Sequence, residues 1–217
     1  TMADQVELFY APQTRATGVR VLLEELDAPY KLNVLNFKLG ENRQPDYLSV
    51  NPSGKVPALR HRNTVITEQV AIYMYLADLF SEKGLAPALD DPLRGPYLRW
   101  FVHMASCYEP ALIDKALNRE EPPHSMSAYG SFDTVMENMR SQLAKGPYVL
   151  GERFTAVDVL WAMGLGWGMR FGIVPELDEF KAYTERFFER PSAVKVLQDD
   201  QNMAKEQEDA AIQAGIA

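Results

Sequence analysis

Apolar and polar residues alternate through Val6-Glu7-Leu8-Phe9-Tyr10, with Val6, Leu8 and Tyr10 on one side and Glu7 and Phe9 on the other. A period of two predicts a strand. Val19, Leu22, Leu23 and Leu26 then recur at i, i+3, i+4 and i+7, the apolar face of a helix. Alternation returns over residues 30–36, where Leu32 and Val34 oppose Lys31 and Asn33. Val56-Pro57-Ala58-Leu59 and Thr64-Val65-Ile66 read as two short strands across a polar turn at Arg62-Asn63. Residues 68–80 follow as a helix that is apolar almost all round. The order is βαβ, then ββα: a helix between the first two strands implies a parallel pair, and the tight turn implies an antiparallel hairpin.

Residues 81–95 carry Gly84, Pro87, Pro92 and Gly95 among charges, the composition of a linker. Beyond them the pattern is helical over 97–117, 131–145, 157–171, 177–190 and from 193 onward, with breaks at Pro122-Pro123, Gly146-Pro147 and Pro191. The expected organisation is an α/β domain over 4–82 and an all-α domain over 95–217. The tail beyond Gln198 is polar and alanine-rich and reads as a fraying terminal helix.

A chain of 217 residues with 47% apolar residues can bury a real core, which excludes disorder for its body. Its 22 basic and 30 acidic residues leave a net charge of −8, which argues against nucleic acid or an anionic membrane as partner. Cys107 is the only cysteine, so no intrachain disulfide and no CxxC redox or zinc motif is available. His61, His103 and His124 share no metal-ligand spacing, and no metal is expected. The first residues show no basic-then-apolar targeting pattern, Thr1 ahead of Met2 reads as an added residue, and the apolar stretch 156–169 is too short and glycine-rich to span a bilayer. The expectation is a reduced, cytoplasmic protein.

Chemistry concentrates in Asn51-Pro52-Ser53-Gly54-Lys55-Val56-Pro57-Ala58-Leu59 and Thr67-Glu68-Gln69-Val70-Ala71-Ile72. A proline that opens a strand cannot donate to the ladder, so it stands at an edge or carries a cis bond. A cis bond would turn the Val56 amide and carbonyl outward, ready to pair with a peptide-like ligand as an added strand. Glu68 comes eleven residues after Pro57, at the start of a helix whose first amides can hold an anion while the carboxylate holds an ammonium. Strand-like pairing beside a site for an α-amino acid head group suits glutathione, with its peptide backbone and γ-glutamyl end.

These two runs match the "NPxGKVPAL" and "E-S-x-A-I" motifs of cytosolic glutathione transferases, and the chain resembles the bacterial theta-like or beta-like members over essentially its full length. The resemblance extends to Leu22-Leu23-Glu24-Glu25-Leu26, to Arg99-Trp100 with Glu109-Pro110-Ala111, and to Gly151-Glu152-Arg153-Phe154-Thr155-Ala156-Val157-Asp158. It implies a thioredoxin-like N-terminal domain, an all-helical C-terminal domain, glutathione as co-substrate, an apolar small-molecule electrophile as partner, a role in detoxification, and a homodimer. It also implies that Lys55, Val56, Pro57, Glu68 and Gln69 bind glutathione. Gln69 stands where the family usually has serine; an amide can donate to the γ-glutamyl carboxylate as a hydroxyl does.

The family activates the thiol with a Tyr, Ser or Cys near the end of strand one and the start of helix one. In register with Leu22–Leu26, Thr14 falls at the theta-like serine and Arg15 at the beta-like cysteine, while Tyr10 falls where beta-like members often carry tyrosine. Thr14 is the first candidate and Tyr10 the second, the alternatives being that Thr14 is only a helix N-cap and Tyr10 only a core aromatic. A free thiol has a pKa of about 8.5, and lowering it by about two requires roughly 2.7 kcal/mol of selective thiolate stabilisation. One hydrogen bond to a charged acceptor supplies about 1.5–3 kcal/mol and a helix N-terminus about 0.3–1, so a single hydroxyl suffices. For the electrophile, Tyr10, Pro12, Phe101, Met104, Tyr108 and Trp167 are the candidates, soft and apolar residue types that also serve as core. Cys107 reads as a buried small residue, Thr155–Asp158 as a helix-capping pair, and Gly164, Gly166 and Gly168 as close-packing positions. Alternative activities are a glutathione-dependent peroxidase, dehalogenase or isomerase, or a non-catalytic binding protein on the same fold.

Overall fold

The computed structural model describes residues 5–216. Positions 4 and 217, at which the two expected domains begin and end, lie outside the described residues, as do Thr1 and Met2. The chain divides into two compact units, one running to Phe80 and including residues from Arg190 onward, the other Ser81–Glu189.

In the first unit β1 (Val6–Tyr10) buries every residue except Glu7, so it is a central strand covered on both faces. α1 (Ala16–Glu25) sinks Val19, Leu22 and Leu23 onto the sheet and returns the chain to β2 (Tyr30–Val34), parallel to β1. After a short helix α2 (Pro45–Leu48), β3 (Ala58–His61) pairs antiparallel with both β1 and β4 (Thr64–Thr67), giving the order β2-β1-β3-β4. The Val56–Pro57 bond is cis, and β3 begins only at Ala58, past a proline that has no N–H for the ladder. α3 (Gln69–Leu79) closes the unit, burying Ile72, Tyr73, Leu76 and Ala77.

The second unit is helical. α4 (Arg94–His103), a π-helical turn (Met104–Tyr108) and α5 (Glu109–Ala116) follow without a break over the span that the sequence presents as one helix. The wider π turn points Met104 and Tyr108 inward and leaves Cys107, expected to be interior, half-exposed with its sulfur 3.5 Å from the Ala128 carbonyl. α6 (Phe132–Leu143), α7 (Ala156–Arg170) and α8 (Asp178–Phe188) complete the unit. α7 is buried along most of its length, and its three glycines make room for neighbours, a Cβ at Gly166 falling 2.8 Å from the Phe188 ring. A Cβ at Gly164 would lie 2.9 Å from the Met104 methyl, and one at Gly168 would lie 2.3 Å from a Val174 methyl.

The last helix, α9 (Pro191–Gln213), departs from two expectations. It continues as regular helix well past Gln198, and it groups with the first unit rather than with the other helices. The cause is a ladder of polar contacts to α1: Arg190 on Glu25 at 2.7 and 3.0 Å, Lys195 on Glu24 at 3.1 Å, and Arg20 on Asp199 at 2.8 Å. Among the described residues no helix is long and apolar enough to cross a membrane.

Candidate functional site

Sheet register determines which segments can share a site. Phe9 stands opposite Ala58, and Ala58 opposite Thr67, so the three residues form a row across β1, β3 and β4. Tyr10 and the loop to Thr14, the Val56–Pro57 pair, and Glu68 with Gln69 all lie just beyond that row. They leave the sheet at one end, and the candidate residues of the first unit are brought together there.

The 51–57 loop is built to hold one peptide group. Buried Asn51 accepts from the Ser53 amide at 3.1 Å through its side-chain oxygen and donates through Nδ2 to the Lys55 carbonyl at 2.9 Å. The Tyr47 hydroxyl donates to the same carbonyl, and the Tyr47 ring packs on Phe9, 5.6 Å between centroids. Gly54 has φ +64°, and a Cβ there would meet the Asn42 carbonyl at 3.0 Å and the Arg43 guanidinium at 2.8 Å, so the glycine of the motif is a steric requirement. With the Lys55 carbonyl tied down, the next peptide is presented in one orientation. Among the described residues the Val56 amide and carbonyl have no hydrogen-bond partner. Lys55 itself is exposed, Val56 half-buried and Pro57 buried.

Glu68 joins β4 to α3 with φ +73° and ψ +113°, a conformation that non-glycine residues avoid. Strain of this kind persists where surrounding structure enforces it and recurs at ligand sites. Its carbonyl accepts from the Ile72 amide at 3.0 Å, beginning α3, while its carboxylate is exposed at the mouth of that helix. Gln69 is half-buried in the first turn, where the backbone amides lack intrahelical acceptors.

The β1–α1 loop carries the thiol-activating candidates. Thr14 is half-buried; its hydroxyl donates to the Ala11 carbonyl at 2.7 Å and accepts from the Ala16 amide at 3.2 Å. The N-cap of α1 is Arg15, so Thr14 stands one residue ahead of the cap and braces the loop at the start of the helix. Arg15 is exposed. Tyr10 agrees with the core-aromatic alternative: it is fully buried and its hydroxyl donates to Asp200 on α9. Burial first, and the Asp200 carboxylate second, push the phenol well above its ordinary range. A phenol donating to a buried carboxylate has no second proton to offer another acceptor while that bond is kept.

Of the electrophile candidates, Tyr10 and half-buried Pro12 belong to the first unit, and Phe101, Met104, Tyr108 and Trp167 to the second. Phe101, Met104 and Tyr108 are buried, with the Tyr108 hydroxyl donating to the Gly164 carbonyl at 2.8 Å; Trp167 is half-exposed against Phe171. Asp200 is the residue that sequence reasoning misses. The signal existed: Ala193, Val196 and Asp200 fall at i, i+3 and i+7, and all three are buried, so the carboxylate sits on the apolar stripe of α9.

Comparison with known proteins follows the same lines. The family model described as "Glutathione S-transferase, N-terminal domain" matches residues 4–78, and that of the C-terminal domain matches 104–191. The chain is 27% identical over 187 residues to glutathione S-transferase A of Pleuronectes platessa, covering 80% of this chain and 82% of that protein. To the glutathione S-transferase GstA of Escherichia coli O157:H7 it is 26% identical, covering 88% and 97%. Among solved structures, a glutathione transferase from Methylococcus capsulatus superposes with a TM-score of 0.74 at 27% identity, covering 90% of this chain and 98% of that one. A glutathione transferase homologue from Sulfitobacter with bound glutathione gives 0.70 at 28%, covering 92% and 99%.

Proposed function

We propose that this chain, which belongs to the glutathione S-transferase family, binds glutathione at the sheet end described above and conjugates it to an apolar electrophile. The observation that carries the reading is the Val56 amide and carbonyl, unpartnered among the described residues, beside the strained Glu68 at the mouth of α3. Val56 pairs with the peptide part of glutathione as an added strand. The α3 amides and Gln69 take the γ-glutamyl carboxylate, Glu68 takes the ammonium, and Lys55 attracts the remaining carboxylate. Thr14 donates to the sulfur. The thiol proton passes to solvent, the thiolate sulfur forms a bond to the electrophilic carbon, and the leaving group departs with its electron pair.

Thr14 suits this role because its hydroxyl can turn from the Ala11 carbonyl to a thiolate, a stronger acceptor, while the Ala16 amide continues to donate to its oxygen. The test is retention on immobilised glutathione followed by assay against aryl halides and hydroperoxides. Conjugation of an aryl halide supports the reading; retention with no activity toward any of the panel would favour a binding protein. We further read the chain as cytoplasmic, acting in detoxification, and as a homodimer, since isologous twofold packing is the commonest assembly. Sedimentation at micromolar concentration is expected to give twice the 24.5 kDa chain mass, and a monomer alone would refute the dimer.

Glu68 has a binding role in this scheme, a contact kept from ground state to transition state. Glu68→Gln is therefore expected to raise the glutathione KM roughly tenfold with kcat nearly unchanged, the signature of uniform binding. A large fall in kcat at constant KM would overturn the assignment.

A further inference from the structure

Asp200 is a buried carboxylate without a part in the scheme above, yet three donors converge on it. Its Oδ1 accepts from the Tyr10 hydroxyl and from the Thr17 hydroxyl at 3.0 Å, and its Oδ2 accepts from the Gln13 amide at 2.9 Å. These donors sit at the end of β1, in the loop, and in the first turn of α1, and they bracket Thr14 on both sides. Gln13 has φ +57°, a left-handed conformation that a side chain resists, and its bond to Asp200 holds it there.

The placement of Asp200 follows from the contacts along α9. Arg190 and Ser192 meet Glu25, Lys195 meets Glu24, and Asp199 meets Arg20. Positions thus rise along α9 as they fall along α1, and the antiparallel pairing delivers the next residue, Asp200, to the N-terminal end of α1. Beyond it, Gln207 donates to the Leu35 carbonyl at 2.9 Å and Lys38 pairs with Glu208, so the helix is fixed on both sides of the carboxylate. The nearby cation, Arg20, lies 5.8 Å from the Tyr10 ring centroid and spends its hydrogen bonds on Asp199 and Tyr30. The Asp200 carboxylate is therefore held by the loop donors themselves.

We propose that Asp200 is a positioning residue for the thiol site: through three acceptor bonds α9 fixes the 11–17 loop so that the Thr14 hydroxyl meets the glutathione sulfur. This rests on the role given to Thr14 above. The consequence is sensitive to small motion, because a hydrogen bond weakens steeply as its distance and angle leave their narrow optimum.

Asp200→Asn keeps the shape but leaves one accepting oxygen where there were two. In this variant kcat/KM at neutral pH is expected to fall about tenfold and the pKa of the bound thiol to rise by about one. Activity should recover at higher pH, where the thiol ionises unaided, and the glutathione KM should change less than about threefold. Amide hydrogen exchange at residues 13–17 should speed up at least about tenfold relative to α6. A lowered Tm with an unchanged pH profile would overturn the proposal. Should Asp200→Asn not fold, Thr17→Val removes a single donor, and an unshifted thiol pKa there overturns it equally. Should the wild type fail to retain glutathione, the transferase reading and the thiol role fall together, while the exchange measurement still decides whether α9 clamps the loop.

Discussion

Thr14→Val should raise the pKa of enzyme-bound glutathione by about one to two and lower kcat/KM at neutral pH by about 10- to 100-fold. Valine keeps the branched shape and removes the only hydroxyl of the loop that is not already given to Asp200. The lost bond to a charged sulfur is worth roughly 1.5–3 kcal/mol, which sets the size of the change. The variant also loses the bonds to the Ala11 carbonyl and the Ala16 amide, so some loss of stability, about 1 kcal/mol, is expected. Thr14→Ser separates the two effects. Serine restores the donor, so the thiol pKa and the rate should return toward those of the wild type. The ultraviolet absorbance of the thiolate, followed against pH in the enzyme–glutathione complex, measures the shift directly. An unchanged titration in Thr14→Val would transfer activation to the backbone amides at the start of α1, with Arg15 the next residue to change. No thiolate in the wild-type complex, with glutathione bound, would favour the non-catalytic reading.

The sheet is legible in the sequence because its strands are short runs whose apolar side chains have nowhere else to go. β1, β2 and the β3–β4 hairpin all appear where alternation predicts them, within a residue or two at their ends. β1 is buried on both faces rather than one, a fact that alternation cannot report because Phe9 is as apolar as its neighbours. The four-residue α2 escapes because a single turn has no period, although its Tyr47 helps hold the Lys55 carbonyl. The binding half of the candidate site is readable from contiguous motifs, since Gly54, Pro57 and Glu68 each meet a local backbone demand. The thiol half is different. Whether Tyr10 is a donor or a structural residue depends on a carboxylate 190 positions away, and no local spacing carries that information. The alanine-rich composition after Gln198 suggests a loose end, and only the phase of Val196 and Asp200 on one stripe reveals that the helix is seated there.

In the helical unit, Asp158→Ala is expected to cost about 3–5 kcal/mol, the largest stability loss of any single change considered. Asp158 stands at the third position of α7, where its capping spacing from Thr155 places it, and it is buried. One carboxylate oxygen accepts from the Thr155 amide at 2.9 Å; the other accepts from the Val149 amide at 2.8 Å and the Tyr183 hydroxyl at 2.9 Å. Burial first, then the charge of Asp158, holds the Tyr183 phenol well above its ordinary range, so it stays a donor. Alanine would strand the buried amides of Val149 and Thr155 and leave the Tyr183 hydroxyl with only the main-chain carbonyl of position 158, at 3.1 Å, to donate to. Each buried donor left without an acceptor costs about 1–3 kcal/mol, and partial relaxation reduces the sum. Domains are stable by only about 5–15 kcal/mol, so much of the margin is lost. With a urea m value of about 2 kcal/mol/M, the midpoint should fall by about 2 M. Asp158→Asn, which retains one accepting oxygen, should fall between alanine and wild type. Its folded fraction should keep the glutathione KM, because the first unit holds every residue assigned to glutathione. A midpoint within about 0.3 M of wild type in Asp158→Ala would show that α7 and the 149–155 loop hold together without this carboxylate.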